Sequence, residues 1–242
     1  MIEETLAGGN MEPVVRVGDT VRRVAGPWTP AVHALLDALA AGGVSGVPRP
    51  LGIDGRGREV LTFLPGATLD SAEVRLRWSQ AMLRDAGRLL RAVHDASQPL
   101  VDASLPWRMP SHQPVEVICH NDFAPYNLLV HDGRLAGVID FDMASPGARI
   151  RDLAYLAYRL VPFAEDAVDE SIRFGDPARR LRDLIAAYGI HYDERDVLRA
   201  AVERLTELAD FTEDRAALTA RTDLLEHAAM YRRDAVRIAG SF

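Results

Sequence analysis

The sequence predicts an α+β chain of two lobes: a small strand-rich N-terminal lobe over residues 1–66 and a larger helical lobe over residues 67–242. Three observations lead there. β-branched residues flank turn signals through residue 64, apolar residues recur at helical spacing from about Ser71, and a short polar hairpin between His120 and Asp140 interrupts the helical half. A chain of 242 residues is long enough for one large domain or for two lobes around a cleft, and such clefts are favoured ligand sites.

The first expected element is a hairpin. Pro13–Val17 and Thr20–Val24 are rich in valine and flank Gly18-Asp19, a pair suited to a tight turn. Thr29 then reads as an N-cap and Pro30 as a first helical residue, with Val32, Leu35, Leu36 and Leu39 forming an apolar face. Gly42-Gly43 ends that helix. Arg58–Leu64 reads as a strand closed by Pro65-Gly66, with a connection between lobes near residues 61–68. Residues 71–97 read as one long amphipathic helix with Leu76, Leu83, Leu89, Leu90 and Val93 on one face. Pro106, Pro110 and Pro114 mark a loop. Short strands follow at Glu116–Cys119, Leu128–His131 and Leu135–Ile139, the last two joined by an Asp132-Gly133 turn. After Arg151 the pattern is helical to the end, with breaks at Pro162, Gly175-Asp176-Pro177 and Gly189.

Chemistry concentrates in His120-Asn121-Asp122-Phe123-Ala124-Pro125-Tyr126-Asn127 and in Val138-Ile139-Asp140-Phe141-Asp142. Phosphoryl transfer requires a carboxylate near the acceptor hydroxyl and oxygen ligands for Mg²⁺. Asp122 is the candidate base. Asn127 begins one strand of the hairpin and Asp140 ends the other, so the two are placed to share a metal ion. Asp142 lies two positions on and points the same way in an extended segment, as a support, a substrate contact or a solvated charge. His120 reads as a hydrogen-bonding partner of the loop, and the remaining histidines show no metal-ligand spacing.

The net charge is −7, which argues against non-specific nucleic-acid binding and is compatible with a cationic substrate or with simple solubility. The single cysteine, Cys119, sits in an apolar run and reads as a small buried hydrophobe; with no disulfide framework available, a cytoplasmic location fits. No apolar run of membrane-spanning length occurs, and Met1-Ile2-Glu3-Glu4 carries acids where a signal peptide would carry bases. All 28 basic residues are arginine, so no lysine is present to hold a nucleotide phosphate.

His120–Leu129 resembles the catalytic loop of the aminoglycoside phosphotransferase family, which includes choline- and homoserine-kinase-like relatives. Gly137–Phe141 resembles that family's metal-binding segment, and Arg151-Asp152-Leu153-Ala154 the run that follows it. Val60–Gly66 is similar to the hinge, and Leu89–His94 to the helix that ends in Leu-His. The resemblance implies a protein-kinase-like two-lobe fold and ATP- and Mg²⁺-dependent phosphorylation of a hydroxyl. It implies Asp122 as catalytic base, Asn127 and Asp140 as Mg²⁺ ligands, Asp152 as a brace for the loop, and the backbone at Phe63 and Leu64 as the adenine contact.

The family's small-lobe lysine, paired with a glutamate on the next helix, is where the chain departs from that pattern. Arg23 matches the lysine by position, either as its replacement at the nucleotide or as part of an exposed pair with Arg22. The helix from Thr29 to Ala41 contains no glutamate, and His33 lies near the place one would occupy. Gly8-Gly9-Asn10 is a short candidate for a phosphate-covering loop. Glu165, Asp166, Asp169 and Glu170 form either an acidic wall for an amine-bearing acceptor or a solvated helix face. Three functions are compatible with these residues: a small-molecule kinase, a kinase-like binding, immunity or scaffold protein that transfers nothing, and a kinase acting on a peptide hydroxyl.

Overall fold

The computed structural model describes residues 3–6, 14–167 and 175–241. Gly8, Gly9, Asn10, Asp169 and Glu170 lie outside the described residues. The chain forms two compact units whose segments interleave. The first takes the described residues of Met1–Ser71 with Arg91–Asp122 and Tyr126–Ala148, and the second takes Ala72–Leu90, Phe123–Pro125 and the described residues of Arg149–Phe242.

The first unit is built on a five-stranded antiparallel sheet of β1 (Glu4–Leu6), β2 (Val14–Val17), β3 (Thr20–Val24), β4 (Pro50–Ile53) and β5 (Arg58–Thr62), in the spatial order β1-β2-β3-β5-β4. The β2–β3 hairpin turns at Gly18, whose φ of 61° costs a glycine nothing. Helix α1 spans Thr29–Ala41, as its apolar spacing predicts, and buries Val32, Leu35, Leu36 and Leu39. Its start differs from expectation. Trp28 holds the N-cap position, and Thr29 instead accepts the Gly26 amide through Oγ1 at 2.9 Å while its own amide donates to the Gly26 carbonyl at 3.0 Å.

Two smaller sheets belong to the same unit. Strands β6 (Ala67–Thr68), β8 (Leu128–His131) and β9 (Arg134–Val138) form one, and β7 (Val117–Cys119) with β10 (Ser145–Gly147) forms the other. The β8–β9 turn has Asp132 at φ 49° and Gly133 at φ 72°, the doubly left-handed turn that matches strand twist. Strand β10, which the sequence does not announce, pairs residue by residue with β7: Ser145 opposes Cys119 and Gly147 opposes Val117. Cys119 is fully buried, as expected.

The second unit is helical, with α2 (Val74–Arg77), α4 (Arg149–Leu160), α5 (Pro177–Tyr188), α6 (Glu194–Thr219) and α7 (Asp223–Ala239); α3 (Gln80–Ser97) contributes its residues up to Leu90, the rest belonging to the first unit. The continuous helix expected over residues 71–97 is therefore broken. Trp78 closes α2 with its amide on the Val74 carbonyl at 3.1 Å, and the Ser79 hydroxyl accepts the Met82 amide at 3.2 Å, an N-cap that restarts the chain as α3. Trp78 is buried here, with the Arg180 guanidinium 5.4 Å from its ring and donating to its carbonyl at 2.7 Å. Asp176 caps α5 through the Ala178 and Arg179 amides, and Gly189 ends it at φ 81°. The break between α6 and α7 falls at Ala220, which is left-handed without a glycine or proline to signal it.

The hairpin carrying Asn127 and Asp140 is fixed by a close backbone crossing. Val138 N–H donates to the Gly46 carbonyl at 2.8 Å, and a Cβ at either Gly46 or Gly137 would overlap the other segment's backbone. Gly137→Ala is therefore expected to cost about 1–3 kcal/mol of unfolding free energy, the range for forcing extra volume into a packed contact. Urea denaturation checks it. Gly55→Ala, at a site with open space around it, is expected to change stability by less than about 0.5 kcal/mol.

Candidate functional site

All residues of the candidate site belong to the first unit. The loop leaving β7 carries His120, Asn121 and Asp122, and a single 3₁₀ turn at Pro125–Asn127 brings the chain back. Asn121 is left-handed, with φ 63°, a conformation asparagine tolerates better than most residues. Its buried amide donates to the Met143 carbonyl and the Ser145 hydroxyl, both at 2.8 Å, which ties the loop to the segment beyond Asp142. The Asp122 amide donates to His120 Nδ1 at 3.2 Å, so the ring proton sits on Nε2 and donates to the Ile139 carbonyl at 3.1 Å. His120 is thus a structural partner of the loop, as its position predicts. Its ring also packs on Phe141 with centroids 4.6 Å apart.

The Asp122 carboxylate is held at both oxygens. The Tyr126 hydroxyl donates to Oδ1, and Asn127 Nδ2 donates to Oδ2 at 2.9 Å and to the Asp122 backbone carbonyl at 2.9 Å. Both of these bonds use the Asn127 amide nitrogen, so its side-chain oxygen takes part in neither. The Asn127 backbone carbonyl accepts the Ile139 amide at 2.9 Å. Ile139 is therefore pinned at its N–H by Asn127 and at its C=O by His120, and Asp140 is the next residue. Asp140 itself is left-handed at φ 65°, with half of its side chain exposed (51%). A non-glycine residue held in that region is a form of local strain that clusters at functional sites.

Arg23 joins this group from β3. It does not form an exposed pair with Arg22. The two alternate across the strand, with Arg22 lying 3.6 Å from Asp54 while the Arg23 side chain is only 11% exposed. Each Arg23 nitrogen meets a different carboxylate. Nε donates to Glu59, Nη1 to Asp140 at 3.1 Å, and Nη2 lies 2.6 Å from Asp142. Burial alone would lower the Arg23 pKa, but Asp142, Glu59 and Asp140 together raise it above the ordinary arginine value. Burial pushes the Asp142 carboxyl up, against the pull of Arg23.

The helix that lacks a glutamate does not supply the acid beside Arg23; that acid comes from a strand, as Glu59. Glu59 stands directly opposite Arg23 in the β3–β5 ladder, and its side chain is 2% exposed. His33 on α1 contacts Glu59 through Nε2 at 2.9 Å. Arg108 approaches from the loop before β7, 3.6 Å from Asp142 and with its guanidinium 4.2 Å from the Trp28 ring. Glu59, Arg108 and Tyr126 were not singled out from sequence. The one available signal was Glu59 itself, an acid heading the largely apolar run Val60–Leu64.

The remaining expected residues are placed as follows. The Phe63 amide donates to the Asp19 carbonyl at 2.9 Å, which commits that amide, and the Arg16 guanidinium lies 3.8 Å from the Phe63 ring centroid. Leu64 follows it directly. Asp152 is wholly buried in the first turn of α4. Glu165 pairs with Arg233 at 2.9 Å, and Asp166 lies 3.4 Å from Arg159, which removes these two from an uncompensated acidic wall.

Residues 6–111 and 99–201 match the sequence model of the phosphotransferase enzyme family. The chain belongs to that family. Over 203 residues, 80% of this chain and 76% of the relative, it is 30% identical to the trifolitoxin immunity protein of Rhizobium leguminosarum bv. trifolii. Its fold is similar to that of a choline/ethanolamine kinase family protein from Mesorhizobium loti, with a TM-score of 0.66, 20% identity, and coverage of 98% of this chain and 88% of that one. It is also similar to aminoglycoside phosphotransferase APH(3″)-Id from Streptomyces rimosus in complex with ADP and streptomycin, with a TM-score of 0.55, 17% identity, and coverage of 82% and 90%. These likenesses show the protein-kinase-like fold for this family member.

Because Glu59 is buried against both Arg23 and His33, Glu59→Gln should destabilise this phosphotransferase-family chain by about 1–3 kcal/mol, the cost of weakening a buried charge-assisted bond. Chemical denaturation of the purified variant measures it.

Proposed function

We propose that this protein is an ATP- and Mg²⁺-dependent phosphotransferase acting on a hydroxyl of a small molecule. The observation that carries the reading is the carboxylate of Asp122, clamped by Tyr126 and Asn127, with Asp140 held one residue beyond the Ile139 that Asn127 and His120 pin. The donor set fits a hard divalent cation. Asp140 presents a half-exposed carboxylate and Asn127 an amide oxygen not used in its bonds to Asp122, and Mg²⁺ takes few protein ligands while filling its shell with water and phosphate oxygens. When bound, the ion neutralises charge that develops on the transferred group.

The chain's own residues divide the remaining work. Asp122 accepts the proton of the acceptor hydroxyl or orients it, while Tyr126 and Asn127 fix the direction of the carboxylate. Arg23, aimed by Glu59, presents a cation to nucleotide phosphate in place of the absent lysine. An arginine fork suits phosphate oxygens, although its shape differs from that of an ammonium. The Phe63 carbonyl and the Leu64 backbone hold the adenine.

The likeness to an immunity protein supports a second reading, in which the chain protects its host against a toxin, by binding it or by phosphorylating it. Thermal denaturation with Mg²⁺ and ATP tests whether the chain binds nucleotide, which any transfer requires. A nucleotide that binds the native state raises the melting temperature, and no shift at millimolar nucleotide would favour a protein that transfers nothing.

Two variants test the kinase reading. In an ATP-consumption screen over hydroxylated metabolites, aminoglycosides, macrolides and peptides, Asp122→Asn is expected to lower turnover by at least about a hundredfold with the melting temperature retained. Undiminished turnover would refute the assignment. Tyr126→Phe is expected to lower kcat by about threefold to thirtyfold with little change in the KM for ATP, since it loosens the carboxylate without touching nucleotide.

A further inference from the structure

Arg23 and the candidate metal compete for the same atom. The Asp140 carboxylate that would ligate a divalent cation accepts Arg23 Nη1 at 3.1 Å. We infer that Arg23 acts as a resident counter-ion of the metal site: it occupies Asp140 and Asp142 in the nucleotide-free protein and transfers to phosphate when metal and nucleotide enter together. This rests on the kinase reading above and adds to it an order of events and a reason for cooperativity.

Geometry supports the exchange. Arg23 is anchored through Nε to Glu59, which is buried and also held by His33, so the base of the guanidinium stays in place while its two outer nitrogens change partners. Asp142 is not left alone when Arg23 turns away, because Arg108, seated on Trp28, is 3.6 Å from its other oxygen. Asp140, half exposed and held by Arg23 through one oxygen at 3.1 Å, is the looser of the two outer contacts; the Asp142 contact is 2.6 Å. A phosphate group offers Arg23 the same bidentate geometry that the two aspartates offer. A cation arriving alone must displace a guanidinium and meets its positive charge. A cation arriving with a polyphosphate brings the replacement partner for that guanidinium. Nucleotide thereby tightens metal binding by more than its own chelation of the ion, and by linkage the metal tightens nucleotide by the same factor.

The test counts free Mn²⁺ by electron paramagnetic resonance during titration of the purified full chain, with and without ADP. Wild type is expected to bind Mn²⁺ alone weakly. Arg23→Gln is expected to bind Mn²⁺ alone about threefold to tenfold more tightly, while losing most of the tightening that ADP brings to wild type. Arg23→Lys keeps a buried cation beside Glu59 but cannot span three carboxylates, so it serves if the glutamine variant does not fold. It too is expected to bind Mn²⁺ alone more tightly than wild type. A folded variant that binds Mn²⁺ alone no better than wild type overturns the inference and leaves the kinase reading standing. Failure of wild type to bind Mn²⁺ even with ADP overturns both.

Discussion

The interaction on which the site depends is the three-way contact of one arginine. A guanidinium offers donors at three nitrogens in a plane, and Arg23 directs Nε to Glu59, Nη1 to Asp140 and Nη2 to Asp142. It thereby joins strand β5 of the five-stranded sheet to the segment that follows β9. A lysine in its place has one nitrogen and cannot fix three separated acids in one plane. In this chain the acid beside Arg23 comes from the opposite strand as Glu59, His33 contacts it from α1, and Asp140 and Asp142 complete the group.

The rest of the site follows from short local restraints. Asn121 reaches across to Met143 and Ser145, His120 reaches to Ile139, and β10 pairs with β7 immediately before the loop begins. Buried polar groups satisfied in this way fix one arrangement, because any other would leave a donor without a partner in a low-dielectric setting. Two left-handed residues, Asn121 and Asp140, sit where the loop and the segment after β9 change direction. The Gly46–Gly137 crossing then seats the hairpin that bears Asn127 and Asp140 against the segment after α1.

Much of this was readable from the sequence where the chemistry is local. The β2–β3 hairpin, α1 and the Asp132-Gly133 turn each carry their own signal in periodicity or turn residues. Asp122 and Asn127 are recognisable because they stand five positions apart on one loop, and they do touch. What was hidden depends on register and distance. Glu59 meets Arg23 because β3 and β5 pair with those residues opposed, a register no local pattern states. Arg108 comes from a proline-marked loop far along the chain, and its role is visible only once Trp28 and Asp142 are near it. Ser145-Pro146-Gly147 lacks strand propensity and pairs all the same, since β7 provides the partner. The break at Trp78-Ser79 is hidden in the sequence because helical apolar spacing continues across it, and the serine cap is a weaker signal than the periodicity.

Family membership and fold leave the acceptor open, since kinase-like folds carry varied substrate regions on one catalytic frame. The proposed mechanism rests on Asn127 and Asp140 sharing one cation while Arg23 holds phosphate. The most direct measurement is an anomalous-scattering map from crystals of the full chain grown with Mn²⁺ and ADP. The account predicts one manganese peak ligated by the Asn127 amide oxygen and the Asp140 carboxylate, with Arg23 turned from Asp140 onto a phosphate. Bound ADP with no manganese at those two residues, or with Arg23 still on Asp140, would contradict it.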